Sequence, residues 1–167
     1  MAYVIAENIA GMQPITAIST TQNHPLGMVV RAFDNVSGQS GEFIYLLGVI
    51  NTIAGLVVTY NASTFQTTLL PSAANAGGPI AVAVSANVAS SYGWYQISGL
   101  ATVLKTAVGV NPAVRLYVST TAGRLRSTAS AGREILGARS ANLATISAGV
   151  SQVLVMLDRP SLQGQIS

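Results

Sequence analysis

Between Phe43 and Leu104 the chain runs for 62 residues without a charged side chain. Charged residues make up 8% of the whole sequence, against about a quarter of an ordinary soluble domain. A run of this kind cannot be solvated along its length. It must be buried against itself, against other subunits, or in lipid. Lipid is tested by Phe43 to Tyr60, 18 uncharged residues. A spanning helix needs about 20 predominantly apolar residues. Gly48, Asn51, Thr52 and Gly55 interrupt this stretch, β-branched residues dominate the rest, and basic flanks are missing. The run reads as strands, and no membrane partner is expected.

At the end of the run, Tyr92 to Lys105 holds the only tryptophan and two of the six tyrosines. Two apolar, β-branched or aromatic segments flank Ser98-Gly99, a pattern that predicts a tight β-hairpin. In that hairpin Ile97 faces Leu100, Tyr95 faces Thr102 and Trp94 faces Val103. Trp94, Tyr95, Ile97, Leu100 and Val103 are its expected core. Both faces are largely apolar, so the element is expected to lie between two layers.

Elsewhere short apolar segments recur between glycine-rich turns with no sustained helical period. Strands are expected over 28–33, 43–47, 56–60, 80–84, 114–119, 134–139 and 153–157. Thr121-Ala122-Gly123 predicts a second hairpin, joining 114–119 to Arg124-Leu125-Arg126. A short helix stays open at 61–69 or 140–148. The length of 167 residues suits one domain with a true core. The fold class is all-β: an antiparallel β-sandwich or β-barrel of short strands with an extended N-terminal arm. Residues 1–22 form the arm, 23–160 the β domain, and 161–167 a flexible C-terminal tail. No stretch resembles a signal peptide.

Reactive chemistry is sparse. Cysteine is absent, and His24 is the only histidine, placed before Pro25 in a predicted turn. Metal and acid–base sites need clusters. The five acids Glu7, Asp34, Glu42, Glu134 and Asp158 are scattered. Gly38-Gln39-Ser40-Gly41 approaches a nucleophile elbow but fails at Glu42, and no phosphate or dinucleotide loop occurs. The chain is not expected to be an enzyme, nor to bind a cofactor, a metal or a small-molecule substrate. Positive charge has more form: Arg115, Arg124, Arg126, Arg133 and Arg139 fall within 25 residues. They constitute either a partner interface, where guanidinium forks meet the carboxylates of a neighbouring subunit, or a solvated sheet face. Nucleic acid is not expected, because no aromatic residues interleave with them.

His24-Pro25-Leu26-Gly27-Met28-Val29-Val30-Arg31-Ala32, Gly41-Glu42-Phe43-Ile44-Tyr45-Leu46, Gly55, Val58-Thr59-Tyr60, Tyr92-Gly93-Trp94-Tyr95-Gln96-Ile97 and Thr121-Ala122-Gly123 occur in that order, before a final apolar strand. This arrangement resembles the small structural proteins of tailed-bacteriophage head modules, especially capsid decoration or cement proteins, over about residues 24–159. The resemblance implies a β-rich virion protein, trimeric, bound to the capsid exterior at junctions between capsomers of the major capsid protein. It brings no catalytic residues. Two other readings remain: a tail or baseplate component, and a carbohydrate-binding adhesin that uses Tyr92, Trp94 and Tyr95 as a platform.

Overall fold

The computed structural model describes residues 3–6 and 11–166. These form twelve strands and no helix. The first six are β1 (Tyr3–Ile5), β2 (Ile18–Ser19), β3 (Val29–Asp34), β4 (Ser40–Leu47), β5 (Val57–Tyr60) and β6 (Thr67–Leu69). The rest are β7 (Gly77–Ala83), β8 (Tyr92–Leu104), β9 (Arg115–Val118), β10 (Leu125–Arg126), β11 (Glu134–Ser140) and β12 (Gln152–Gln163). They make one antiparallel network in the order β1-β3-β4-β8-β7-β12-β11-β9-β10, with β2 on β8 and the β5–β6 pair on β7. The sheet is not closed into a barrel, so the architecture is sandwich-like.

The predicted hairpin at Ser98-Gly99 is absent: β8 runs through it as a single strand of 13 residues. Gly99 has φ +88° without reversing the strand and stays in register with Leu157 of β12; the bulge lies just before it, at Ile97, between Phe43↔Gln96 and Glu42↔Ser98. A Cβ on Gly99 would collide with the Ser40 carbonyl oxygen. Up to Ser98, β8 pairs with β4 from Leu47↔Tyr92 to Glu42↔Ser98. From Ser98 onward, it pairs with β12 from Asp158↔Ser98 to Gln152↔Leu104. Where β4 has ended, side chains replace its hydrogen bonds: the Leu100 carbonyl accepts from Tyr3 Oη (2.8 Å) and Gln96 Nε2 (2.9 Å). The pairs expected across the turn are therefore not opposite one another.

Burial on both faces of the strand is as expected, and it connects three cores. Trp94 packs with Ile15, Val30, Phe43 and Tyr45 on one side. Tyr95 and Ile97 pack with Ile44, Leu46 and Val58 on the other. Beyond the bulge Ala101 and Val103 enter the largest cluster, with Leu116, Ile135 and Val155. Trp94, Tyr95 and Val103 are fully buried and Ile97 nearly so, while Leu100 is half-buried. Each complete side-chain burial of this kind contributes about 1.5–3 kcal/mol.

The N-terminal arm is stitched onto the domain. Tyr3–Ile5 pairs with β3 and Ile18–Ser19 with β8, and the buried Gln13 plugs the gap between them. Its backbone oxygen accepts from Trp94 Nε1 (2.9 Å), and its side-chain oxygen accepts from Tyr45 Oη (3.0 Å). Its backbone N–H donates to His24 Nε2 (3.0 Å), whose ring packs on Tyr45 and Trp94 at 5.1 and 5.5 Å. His24 is thus a structural acceptor in an aromatic cluster.

The C-terminal boundary also moves. Ser161–Gln163, expected in a flexible tail, extend β12 by pairing with Pro79, Gly78 and Gly77. Asp158-Arg159-Pro160, expected to end the domain, forms an irregularity inside β12 where Arg159 takes φ +42°. The hairpin through Thr121-Ala122-Gly123 is present, with Leu125↔Val118 and Arg126↔Tyr117. Neither 61–69 nor 140–148 is helical.

Gly99→Ala should lower stability by about 3 kcal/mol, combining left-handed backbone strain with the steric clash. Gly38→Ala, at φ +70° in open space, should cost only about 1 kcal/mol. Urea titrations of the two variants check the contrast. Alkali tests the cores. Burial raises the Tyr3, Tyr45, Tyr60 and Tyr95 hydroxyls above their ordinary value of 10.0. Native protein then holds protons that the unfolded chain has lost, so stability is full below pH 10 and falls as pH rises through the raised values. Burial lowers the Lys105 ammonium from 10.5, which acts the other way just below 10.5. Above 10.5 the lysine no longer contributes a slope, so the urea midpoint should fall there as phenolate absorbance rises.

Candidate contact faces

Strand alternation sorts the five arginines. Leu116, Val118, Leu125 and Ala138 point into the largest core, which turns Arg115, Tyr117, Arg126 and Arg139 to the opposite face of the same sheet. Leu100, Met156, Arg139 and Arg115 lie in register across β8, β12, β11 and β9. The other two arginines are spent elsewhere. Arg124 donates to the Lys105 carbonyl (3.1 Å), and Arg133 donates to the Ser72 carbonyl. The structure therefore brings Arg115 and Arg139 together, sets Arg126 on the same face opposite Tyr117, and separates the other two.

The outer face is a hollow of about 680 Å³ along β11, bordered by Arg115, Glu134, Leu136, Arg139, Met156 and Asp158. Its depth comes from broken ladders. Between Glu134↔Tyr117 and Arg139↔Arg115, β11 spends four residues against one on β9. Between Leu136↔Ser161 and Ala138↔Leu157, three residues of β12 oppose Gly137 alone. Gly137 takes φ +72°, and a Cβ there would collide with the Asp158 carbonyl oxygen. Leu136 and Met156 stand 46% and 47% exposed beside it. Arg115 pairs with Glu134 at 3.2 Å. Among the described residues Arg139 and Asp158 make no ion pair.

A row of charge borders this face. Glu42 accepts from Arg159 at 2.9 Å and lies 3.8 Å from Arg31, its cross-strand neighbour. Further along, Val29, Phe33 and Val4 are exposed on the outer side of β3 and β1. Apolar side chains also project from loops at Ile50, Ile53 and Leu143. The sequence reading found the arginines but missed Leu136, Met156 and Asp158. Their signal was the alternation in Val153–Leu157, which turns Leu154 and Met156 away from the core.

One further cationic hollow, about 480 Å³, has Lys105 and Arg124 in its wall. Lys105 is 1% exposed, and its ammonium donates to the carbonyls of Val108 (2.8 Å), Ser147 (3.1 Å) and Thr106 (3.4 Å). All three of its donors are committed, so it clamps two loops and offers nothing to a ligand. Trp94 and Tyr95 are buried on opposite faces of β8, so Tyr92, Trp94 and Tyr95 form no sugar platform. Among the described residues no group of three or more His, Cys, Asp or Glu is placed to hold a metal ion, and no helix is long and apolar enough to cross a membrane. Neither a family model nor a curated protein matches the sequence.

Arg139→Gln should change stability by less than about 0.5 kcal/mol, since it removes an exposed group with no partner. Lys105→Met should cost about 1–3 kcal/mol, because it removes three hydrogen bonds between two loops and strips the donor from the Val108 carbonyl. Urea midpoints distinguish a contact face from a structural clamp.

Proposed function

We propose that this chain is a structural protein of a virus particle: a decoration or cement protein that binds the outside of a tailed-phage head and stabilises contacts between capsomers of the major capsid protein. The observation that carries the reading is the distribution of exposed apolar side chains. They occur on the β1–β3 side (Val4, Val29, Phe33), on the β11–β12 side (Leu136, Met156) and in loops (Ile50, Ile53, Leu143). A subunit wedged among neighbours needs several contact faces, whereas a protein with a single ligand concentrates its apolar surface in one cleft.

The segments that resemble phage decoration proteins support the framework of this reading. His24 to Ala32 leads into β3, Gly41 to Leu46 is β4, Tyr92 to Ile97 is the first half of β8, and Thr121 to Gly123 is the turn between β9 and β10. They supply much of two of the three cores. Sparse charge also suits the role, since a surface buried by neighbours does not need charge to stay soluble.

The test is a cryo-electron-microscopy reconstruction of particles that contain the chain, beside particles from which its gene is deleted. Symmetric density on the outer shell between capsomers, lost in the deletion, is the expected result. Heads lacking it should open at a lower temperature. Density confined to the tail or baseplate would overturn the assignment.

A further inference from the structure

The hollow along β11 combines features that no intrachain role explains. Arg139 stands directly opposite Arg115 across the ladder, and like charges so placed are destabilising. Glu134 relieves Arg115 at 3.2 Å, but among the described residues nothing pairs with Arg139. On the neighbouring strand Asp158 lines the same hollow and is equally without an ion pair. Asp158 is the first of the three β12 residues set against Gly137, two places beyond the Met156 that faces Arg139, and no ion pair joins it to Arg139. Leu136 and Met156 are nearly half exposed in the same hollow. One small surface thus holds an unpaired cation, an unpaired anion and two apolar side chains.

We propose that this hollow docks the same hollow of a second copy about a two-fold axis, with Arg139 of each copy paired to Asp158 of the other and Met156 and Leu136 packed between them. A two-fold contact requires a surface that is its own complement. A patch bearing one free charge of each sign meets that condition; an all-arginine patch would not. The mixed signs also disfavour the other occupants. A segment rich in acids would meet Asp158, and a basic one would meet Arg139. The pairing also relieves the Arg115–Arg139 repulsion, since Arg139 gains the carboxylate its own chain does not bring to it. The contact leaves the β1–β3 side open, so a copy joined this way still has a face for a different partner. It does not depend on the capsid assignment.

Sedimentation equilibrium of the purified full chain over a range of concentrations tests the contact. Wild-type protein should pass from monomer to dimer mass, more weakly at high salt. Arg139→Asp and Asp158→Arg should each weaken the dimer about ten-fold or more, by placing like charges opposite one another. The double variant R139D/D158R should recover most of that loss, because it restores the pair with its signs exchanged. Met156→Ser, which leaves both charges in place, should also weaken it, and circular dichroism should find all the variants folded. A wild-type monomer at every concentration would overturn the proposal. So would an exclusively trimeric mass, which a two-fold contact cannot generate, or a double variant no better than the singles.

Discussion

At Gly99 the backbone takes φ +88° while passing close over Ser40 and Gly41, and this allows one strand to serve two sheet neighbourhoods. Upstream of Ser98 β8 is held by β4, downstream by β12, and Ser98 itself faces a residue of each. The strand's side chains consequently enter three separate cores. A strand of 13 residues is long for a globular protein, where about 5–6 is usual. It stays buried because different elements cover its two halves. A side chain at position 99 would meet the Ser40 carbonyl oxygen and Gly41 at this crossing.

A second consequence is that hydrogen bonds, more than charges, fasten the edges. The arm is held by Gln13, whose backbone and side chain meet Trp94, Tyr45 and His24. The loops before β9 and β12 are held by Lys105 through three carbonyls. In a chain with so few ionisable groups, a lysine buried without a carboxylate is costly in desolvation. Three carbonyls take the place of a carboxylate, and for the Val108 carbonyl the ammonium is the one donor among the described residues. The three ion pairs found among the described residues lie on the surface, where such pairs contribute little to stability.

The all-β class, most strand positions and the burial of Trp94 and Tyr95 were legible because alternation and turn residues are local signals. The hairpin at Ser98-Gly99 was misread for a physical reason. A serine–glycine pair announces a positive φ, but a strand can turn there or continue, and here it continues because Ser98 and Gly99 pair with Asp158 and Leu157 of β12, which are distant in sequence. The pairing of Tyr3–Ile5 and Ile18–Ser19 was illegible for the same kind of reason. These strands are two or three residues long, too short to show a period, and exist only because β3 and β8 present open edges. The arginine group was legible as composition but not as geometry. Arg124 and Arg126 flank a single core residue, yet only Arg126 lies in a strand, and Arg124 is drawn to a carbonyl.

Local rules fail together along the outer face of β11. Two ladders lose register within five residues, two arginines oppose each other, and Leu136 and Met156 face water. Exposed apolar side chains occur on other faces too, but here they coincide with two register shifts and an opposed pair of arginines. Natural sequences tolerate local conflict where something outside the fold resolves it. The core behind this face is continuous, from Leu116 through Ile135 and Ala138 to Val155, so the bulges are not compensating for a defect beneath them. They deepen a surface on which, among the described residues, Arg139 and Asp158 stand without an ion pair.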